Sequence, residues 1–230
     1  MPIQAVIFDF DGIIVDTEPL HHRAFCRVLE PLNLPLSWGR YYEHYLGFDD
    51  RDVLRTRFDE EGIHLEEAMM RRLIDEKAQA FLDIIHQEGV DAFPGVVELV
   101  KLLHGHVPLA IASGALASDI EPILEMLGLT ACFKERVTAD QVHISKPDPE
   151  SYREAFARLK VAYPDQVSDP FCCLAIEDTP AGVQAAKGAG LRVLAVSNTY
   201  EPGALDAADR VVTSLAGIDL AALDALAGQG

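Results

Sequence analysis

Residues Ala5 to Gly12 read AVIFDFDG, and this stretch restricts the fold more than any other. Four apolar residues in succession, Ala5, Val6, Ile7 and Phe8, suit a strand covered on both faces, as in a parallel sheet. Asp9 and Asp11 follow at its end. Residues two apart on an extended chain point the same way, so both carboxylates project from the carboxyl edge, where open α/β sheets bind ligands. Gly12 permits a sharp exit. Like charges this close are unfavourable alone, so the pair implies a bound cation or a proton held on one of the two. The acids could instead cap a following helix. A calcium loop of the EF-hand type does not fit, because it needs a third oxygen ligand before its glycine and a helix in front.

The pattern changes from strand to helix between Glu18 and about Asp91. Pro19 opens a helix over Leu20 to Glu30 that Pro31 closes, and Ser37 caps Trp38 to Tyr45 with Gly47 as the stop. Asp49 starts a third helix through Val53, Leu54 and Phe58 to Gly62, and Leu65 to Gln87 is a long periodic segment ending at Gly89. The spacing therefore predicts a helical bundle over residues 18–91, inserted into a core made of residues 1–17 and 92–230.

After Phe93-Pro94-Gly95, a helix through Val97, Leu99 and Leu103 leads to the apolar run Val107 to Ala112, broken by Ser113 and Gly114. Ser118 and Glu121 have capping-box spacing for a helix ending at Gly128, which leaves Ser113 available for another role. A segment around Val137 leads to Lys146, just outside a helix over 150–160 whose start is marked by Asp148 and Pro149. Phe171 to Ile176 reads as another buried strand and ends in Glu177-Asp178. Thr179-Pro180 opens a helix that stops near Gly188 and Gly190, and Leu191 to Val196 and Arg210 to Thr213 complete the strands. Strands alternating with helices mean right-handed crossovers and a Rossmann-like parallel sheet in an α/β/α sandwich. The strand ends carry Asp9 and Asp11, then Ser113, then Glu177 and Asp178, with Lys146 on a loop. All are predicted to face one crevice.

With 19 basic and 37 acidic residues the formal net charge is -18, and no basic stripe with interleaved aromatics interrupts it. Nucleic acid and anionic membrane are therefore poor partners. A small anionic substrate is still acceptable, because surface charge is screened beyond about 8 Å in physiological salt. One lysine about 4 Å away still contributes about 4 kcal/mol at a surface-like dielectric. After Met1 and Pro2 the chain enters a strand without a basic region or a long apolar run, so neither a secretion signal nor a membrane span is expected, and the expected location is cytoplasmic. Cys26, Cys132, Cys172 and Cys173 show no CxxC spacing and read as core packing. His104-Gly105-His106 lacks a third ligand nearby and reads as a polar turn. No phosphate-binding loop of the Gly-x-x-x-x-Gly-Lys type occurs.

Four motifs appear in order, FDFDG at 8–12, IASGA at 111–115, SKPDP at 145–149 and IEDTPAG at 176–182, with the helical insertion after the first. Together they resemble the haloacid dehalogenase-like superfamily, in particular the branch with a helical cap that includes β-phosphoglucomutase and phosphoglycolate phosphatase. The likeness covers nearly the whole chain. It implies that Asp9 is a nucleophile that attacks phosphorus and forms an aspartyl phosphate, and that Asp11 protonates the leaving oxygen and then activates water. It also implies Mg²⁺ held by Asp9, Asp178 and the main-chain oxygen of Asp11, with Glu177 beside it. Ser113, the backbone at Gly114 and Lys146 would bind the phosphoryl oxygens. The residue types suit these roles. A carboxyl with a reference pKa of about 3.9 is ionised at neutral pH, oxygen ligands suit a hard cation, and fixed donors stabilise the charge spread over a transferring phosphoryl group.

The expected substrate is a small phosphomonoester, such as a sugar phosphate or a phosphoglycolate-like metabolite, and the expected assembly is a monomer or weak dimer. Asp11 argues against a dehalogenase, and no lysine stands where the phosphonate-cleaving branch carries its Schiff-base residue. The mutase is closer. His21 and Lys77 fall where β-phosphoglucomutase has a cap histidine and a cap lysine, which makes them candidate substrate contacts. Counted from Gly47, Asp50 stands where the mutase has an arginine that grips a second phosphate, with Arg51 one residue on. The acidic residue favours a phosphatase, with phosphosugar mutase as the alternative. A catalytically silent module that binds a phosphorylated metabolite is the alternative of another class, and intact Asp9 and Asp11 argue against it.

Overall fold

The structure is a computed structural model, and it describes residues 2–45, 48 and 50–227. The helix stop expected at Gly47 and the helix start expected at Asp49 lie outside the described residues. The chain divides into two compact units, residues 1–16 with 90–230, and residues 17–89.

The first unit contains a six-stranded sheet, β1 (Ala5–Phe8), β2 (Leu109–Ala112), β3 (Glu135–Val137), β4 (Cys173–Glu177), β5 (Arg192–Val196) and β6 (Arg210–Val212). Its order is β3-β2-β1-β4-β5-β6, and every neighbouring pair is parallel. Every residue of β1, β2, β4 and β5 is buried, which is why these strands appear in the sequence as apolar runs, with Glu177 and Arg192 at the ends of β4 and β5, and not as alternating ones. The chain runs outward from β1 through β2 to β3 and then returns to β4 on the other side. The order therefore reverses at β1, and a crevice opens at the carboxyl ends of β1 and its neighbours, the ligand position of open α/β sheets.

Four strands present alanines to one buried cluster, Ala5 of β1, Ala110 and Ala112 of β2, Ala175 of β4 and Ala195 of β5, where they meet Tyr152, Leu159, Val183 and Ala186. Those partners belong to two of the helices that follow the insertion in this unit.

The second unit carries α1 (Glu18–Leu29), α2 (Trp38–His44), α3 (Asp50–Glu60) and α4 (Glu67–Glu88). Phe25, Leu29, Tyr41, Tyr45, Leu54, Phe58 and Leu73 form its core. Ser37 accepts from the backbone N–H of Arg40 at 3.3 Å and caps α2. Back in the first unit lie α5 (Val96–Leu103), α6 (Ala117–Met126), α7 (Glu150–Ala162), α8 (Pro180–Gly188) and α9 (Leu220–Ala227). Tyr152 and Leu159 are on α7, and Val183 and Ala186 on α8.

Two local expectations need correcting. Ser118 does not cap α6: the helix begins one residue earlier, and the carboxylate of Asp140, on the loop after β3, accepts from the N–H of Ala117 at 3.2 Å. Phe171 is not in β4. Asp169 accepts from the N–H of Phe171 at 3.0 Å and, with Pro170, sets a 3-10 turn that leaves Phe171 half exposed beneath the guanidinium of Arg192. All four cysteines are free thiols; Cys172 and Cys173 are buried. Among the described residues no helix is long and apolar enough to cross a membrane.

Candidate active site

Strand register explains the convergence of the acids. Phe8 of β1 pairs with Ile176 of β4, so the next residues, Asp9 and Glu177, leave adjacent strand ends at the same level. The N–H of Asp9 donates to the carbonyl of Ile176 at 2.9 Å and fixes that level. On the other side Phe8 pairs with Ile111 of β2, which brings Ser113 to the same edge. Asp9, Ser113, Glu177 and Asp178 are all buried.

Lys146 joins the strand ends. Its ammonium donates to Asp9 Oδ1 and to Glu177 Oε1, each at 2.7 Å, and lies 4.9 Å from the centre of the Tyr152 ring. Burial alone would lower the lysine pKa, but the two carboxylates outweigh it and hold Lys146 above its ordinary value and charged. Glu177 is held from both ends. Its Oε1 accepts from Lys146 and, at 3.0 Å, from the Tyr152 hydroxyl. Its Oε2 accepts from the N–H groups of Asp178 and Thr179 and from the Thr179 hydroxyl at 2.9 to 3.1 Å. Burial would raise this carboxyl, but Lys146 and the donors keep it below the usual value and ionised. The Tyr152 hydroxyl is pushed well above the ordinary phenol value, by burial first and then by the charge of Glu177, so it remains a donor.

Asp178 differs. One of its oxygens accepts from the Thr199 hydroxyl, while Oδ1 is buried with no hydrogen-bond partner among the described residues. Burial, reinforced by Asp9 and Glu177, raises its pKa to about 8. Burial also raises Asp9 to about 6, with Lys146 opposing and Glu177 adding to the rise. Oxygens of Asp9, Glu177 and Asp178 lie within 4.8 Å of one another. Three carboxylates against one ammonium leave an excess of two negative charges when all are ionised, and a divalent cation would balance it. The unpartnered Asp178 oxygen and the oxygen-only donor set fit a hard ion such as Mg²⁺.

Gly12 and Gly182 make room for this arrangement. Gly12 has φ +79°, and a Cβ there would stand 1.9 Å from Asp178 Oδ2; a Cβ on Gly182 would stand 1.7 Å from Glu177 Oε1. Asp11 is half-buried in the turn that Gly12 closes, where the N–H of Gly12 donates to Val15 at 2.8 Å. The hydroxyl oxygen of Ser113 accepts from the N–H of Ala115 at 3.0 Å, which leaves its proton to donate elsewhere. Gly114 is exposed, and a Cβ there would meet nothing within 4 Å.

His21 and Lys77 lie in the second unit, where they meet each other. Lys77 is buried, not solvated, and donates to Asp50 Oδ1 at 2.7 Å and to His21 Nδ1 at 2.9 Å. The His21 ring stacks on Phe81 with centroids 4.4 Å apart. Burial, then the Lys77 charge, lowers its pKa well below the usual value, so the ring is neutral with its proton on Nε2. Three residues at the first unit's site were missed in the sequence: Tyr152, Thr199 and Asn198, whose amide donates to the carbonyl of Gly12 at 2.7 Å. Tyr152 reads there as an ordinary apolar-face residue of α7, and the other two as a loop after β5.

A sequence profile of the haloacid dehalogenase-like hydrolases matches residues 6–196. The chain belongs to this family. Its relatives include the phosphorylated carbohydrates phosphatase of Thermotoga maritima, 31% identical over 206 residues that cover 87% of this chain and 88% of that one. Fructose-1-phosphate phosphatase YqaB of Escherichia coli is 31% identical over 81% of this chain and 92% of its own. Among solved structures, CbbY of Rhodobacter sphaeroides in complex with xylulose-(1,5)bisphosphate superposes with a TM-score of 0.80 at 26% identity, covering 96% of this chain and 99% of that one.

Proposed function

We propose that this protein is a Mg²⁺-dependent phosphatase that hydrolyses a small phosphorylated carbohydrate through a phosphorylated Asp9. The observation that carries the reading is the buried Asp9–Lys146–Glu177 chain beside an Asp178 oxygen with no partner among the described residues. The names of the relatives support the substrate class.

In this reading Asp9 attacks phosphorus. An O–P bond forms to its carboxylate as the bond from phosphorus to the substrate's ester oxygen breaks. Asp11 gives that oxygen a proton and, now ionised, takes one from water, which attacks the phosphoryl group and releases inorganic phosphate and free Asp9. Lys146 has three N–H donors, two of them engaged by Asp9 and Glu177, and the third is available to a phosphoryl oxygen. The Ser113 proton and the backbone N–H at Gly114 supply further donors. Asp9, Asp178 and the main-chain oxygen of Asp11 would hold Mg²⁺, with Glu177 beside it because its own lone pairs are already engaged. The bound ion would supply positive charge against the phosphoryl oxygens and keep Asp9 ionised.

A mutase needs a grip on a second phosphate, and the cap cation Lys77 is already neutralised within its own unit by Asp50. That favours water as acceptor. The test is phosphate release from a panel of sugar and polyol monophosphates with Mg²⁺ and with chelator. Mg²⁺-dependent release from at least one of them is expected. Undiminished turnover in chelator, or isomerisation of β-glucose 1-phosphate faster than phosphate release, would overturn it.

A further inference from the structure

We propose that Tyr152 is a positioning residue of this centre, holding Glu177, and through it Lys146, where a phosphoryl group can be gripped; the assignment rests on the phosphatase reading above. Tyr152 stands in the first turn of α7 and is wholly buried. Four of the five donors to Glu177 are Lys146 and three groups of its own β4–α8 turn. The three turn donors all bind Oε2 and leave the other end of the carboxylate to be set by something else. Among the described residues the donors to Oε1 are Lys146, which is itself the group to be positioned, and the Tyr152 hydroxyl. Tyr152 is therefore the external anchor of that oxygen.

The same side chain acts a second way. Its ring lies 4.9 Å from the Lys146 ammonium, so the cation has a carboxylate on either side and a π face beneath it. The two carboxylates engage two of the three N–H groups, and the ring beside the ammonium restricts where the third can point. Space for this arrangement is bounded on the far side by Gly182, where even a methyl group would collide with Glu177 Oε1. Removing the hydroxyl while keeping the ring should let Oε1 shift and the ammonium follow it, without touching Asp178 or its Thr199 partner.

Tyr152→Phe tests this. Groups that orient a site's contact residues typically contribute about 10-fold or more. The variant should bind inorganic phosphate about 10-fold more weakly by calorimetry at saturating Mg²⁺, and kcat for an aryl phosphate should fall by a similar factor. Its Mg²⁺ affinity should stay within about 2-fold of wild type, since the Tyr152 hydroxyl does not contact Asp9, Asp178 or the main chain of Asp11. A general packing defect would lower both affinities together, and that outcome would overturn the proposal, as would phosphate affinity and kcat within 2-fold of wild type. If Tyr152→Phe unfolds, Glu177→Gln and the double variant in a stabilising osmolyte decide the matter: a hydroxyl that acts through Glu177 adds nothing to the loss already caused by Glu177→Gln, whereas additive losses overturn the proposal. Failure of the wild-type protein to release phosphate from any ester would instead sink the phosphatase reading, and this assignment with it.

Discussion

Gly182→Ala should damage this protein even though alanine is the better helix former. Gly182 lies in the first turn of α8, and an added Cβ would stand 1.7 Å from Glu177 Oε1 and 1.9 Å from its carboxyl carbon. Ordinary contact begins at 3.4 Å, so the carboxylate would have to retreat by about 1.7 Å. Its bonds to Lys146 and Tyr152, at 2.7 and 3.0 Å, do not survive a shift of that size. Breaking a buried ion pair costs about 3–5 kcal/mol, and replacing glycine by alanine in a helix returns about 1 kcal/mol. The net loss of about 2–4 kcal/mol corresponds to a Tm lower by roughly 5–15 °C in a chain of this size. Thermal unfolding and phosphate release should be compared with Gly39→Ala, which makes the same substitution in α2, where a Cβ meets nothing within 4 Å. The control should unfold no earlier than wild type. A Gly182→Ala protein that matches the control in Tm and retains full activity would show that Glu177 is not held as described.

Metal-free protein should lose stability as pH rises. Asp9 and Asp178 are lifted from 3.8 to about 6 and about 8, so between those limits the folded state binds more protons than the unfolded state. Mg²⁺ should displace these protons and abolish the decline, so the gain in Tm on adding Mg²⁺ should grow with pH; equal slopes with Mg²⁺ and with chelator would contradict it. Thr199→Val should weaken Mg²⁺ binding by about 10-fold in calorimetry and Thr199→Ser should restore it, because the hydroxyl fixes which Asp178 oxygen is left for the ion. In the second unit, Asp50→Ala should destabilise by about 2 kcal/mol more than Lys77→Met, as followed by denaturant unfolding: the first strands a buried ammonium, the second leaves a carboxylate that is 28% exposed and that water can reach. The reverse order would mean that Lys77 is stabilised by something other than Asp50.

The parts of the fold legible in the sequence share a physical cause. β1, β2 and β4 are covered on both faces, so each is an apolar run that ends where its polar residues begin, at Asp9, Ser113 and Glu177. Capping by Ser37 and Thr179 was legible because donor and acceptor are three residues apart. The capping of α6 was not, since Asp140 lies 23 residues from Ala117 and only the pairing of β2 with β3 brings them together. That Lys77, read as a candidate substrate contact, is buried against Asp50 and His21 was not legible, because those partners, 27 and 56 residues away, come from other helices. Tyr152 was hidden for a different reason. A tyrosine on the apolar face of a helix satisfies the hydrophobic period whether or not its hydroxyl has a partner, and the partner here is 25 residues away on β4.

Reductive trapping would show whether Asp9 becomes phosphorylated during turnover. Borohydride converts an aspartyl phosphate to homoserine, and the site of reduction is located by peptide mass spectrometry on protein quenched during Mg²⁺-supported turnover of an aryl phosphate. Asp11→Asn should raise the yield, because an amide cannot take a proton from the attacking water. Homoserine at position 9, absent without substrate and absent in Asp9→Asn, is the expected result. Steady phosphate release with Asp9 never reduced, or with the phosphoryl group trapped on another residue, would contradict the account.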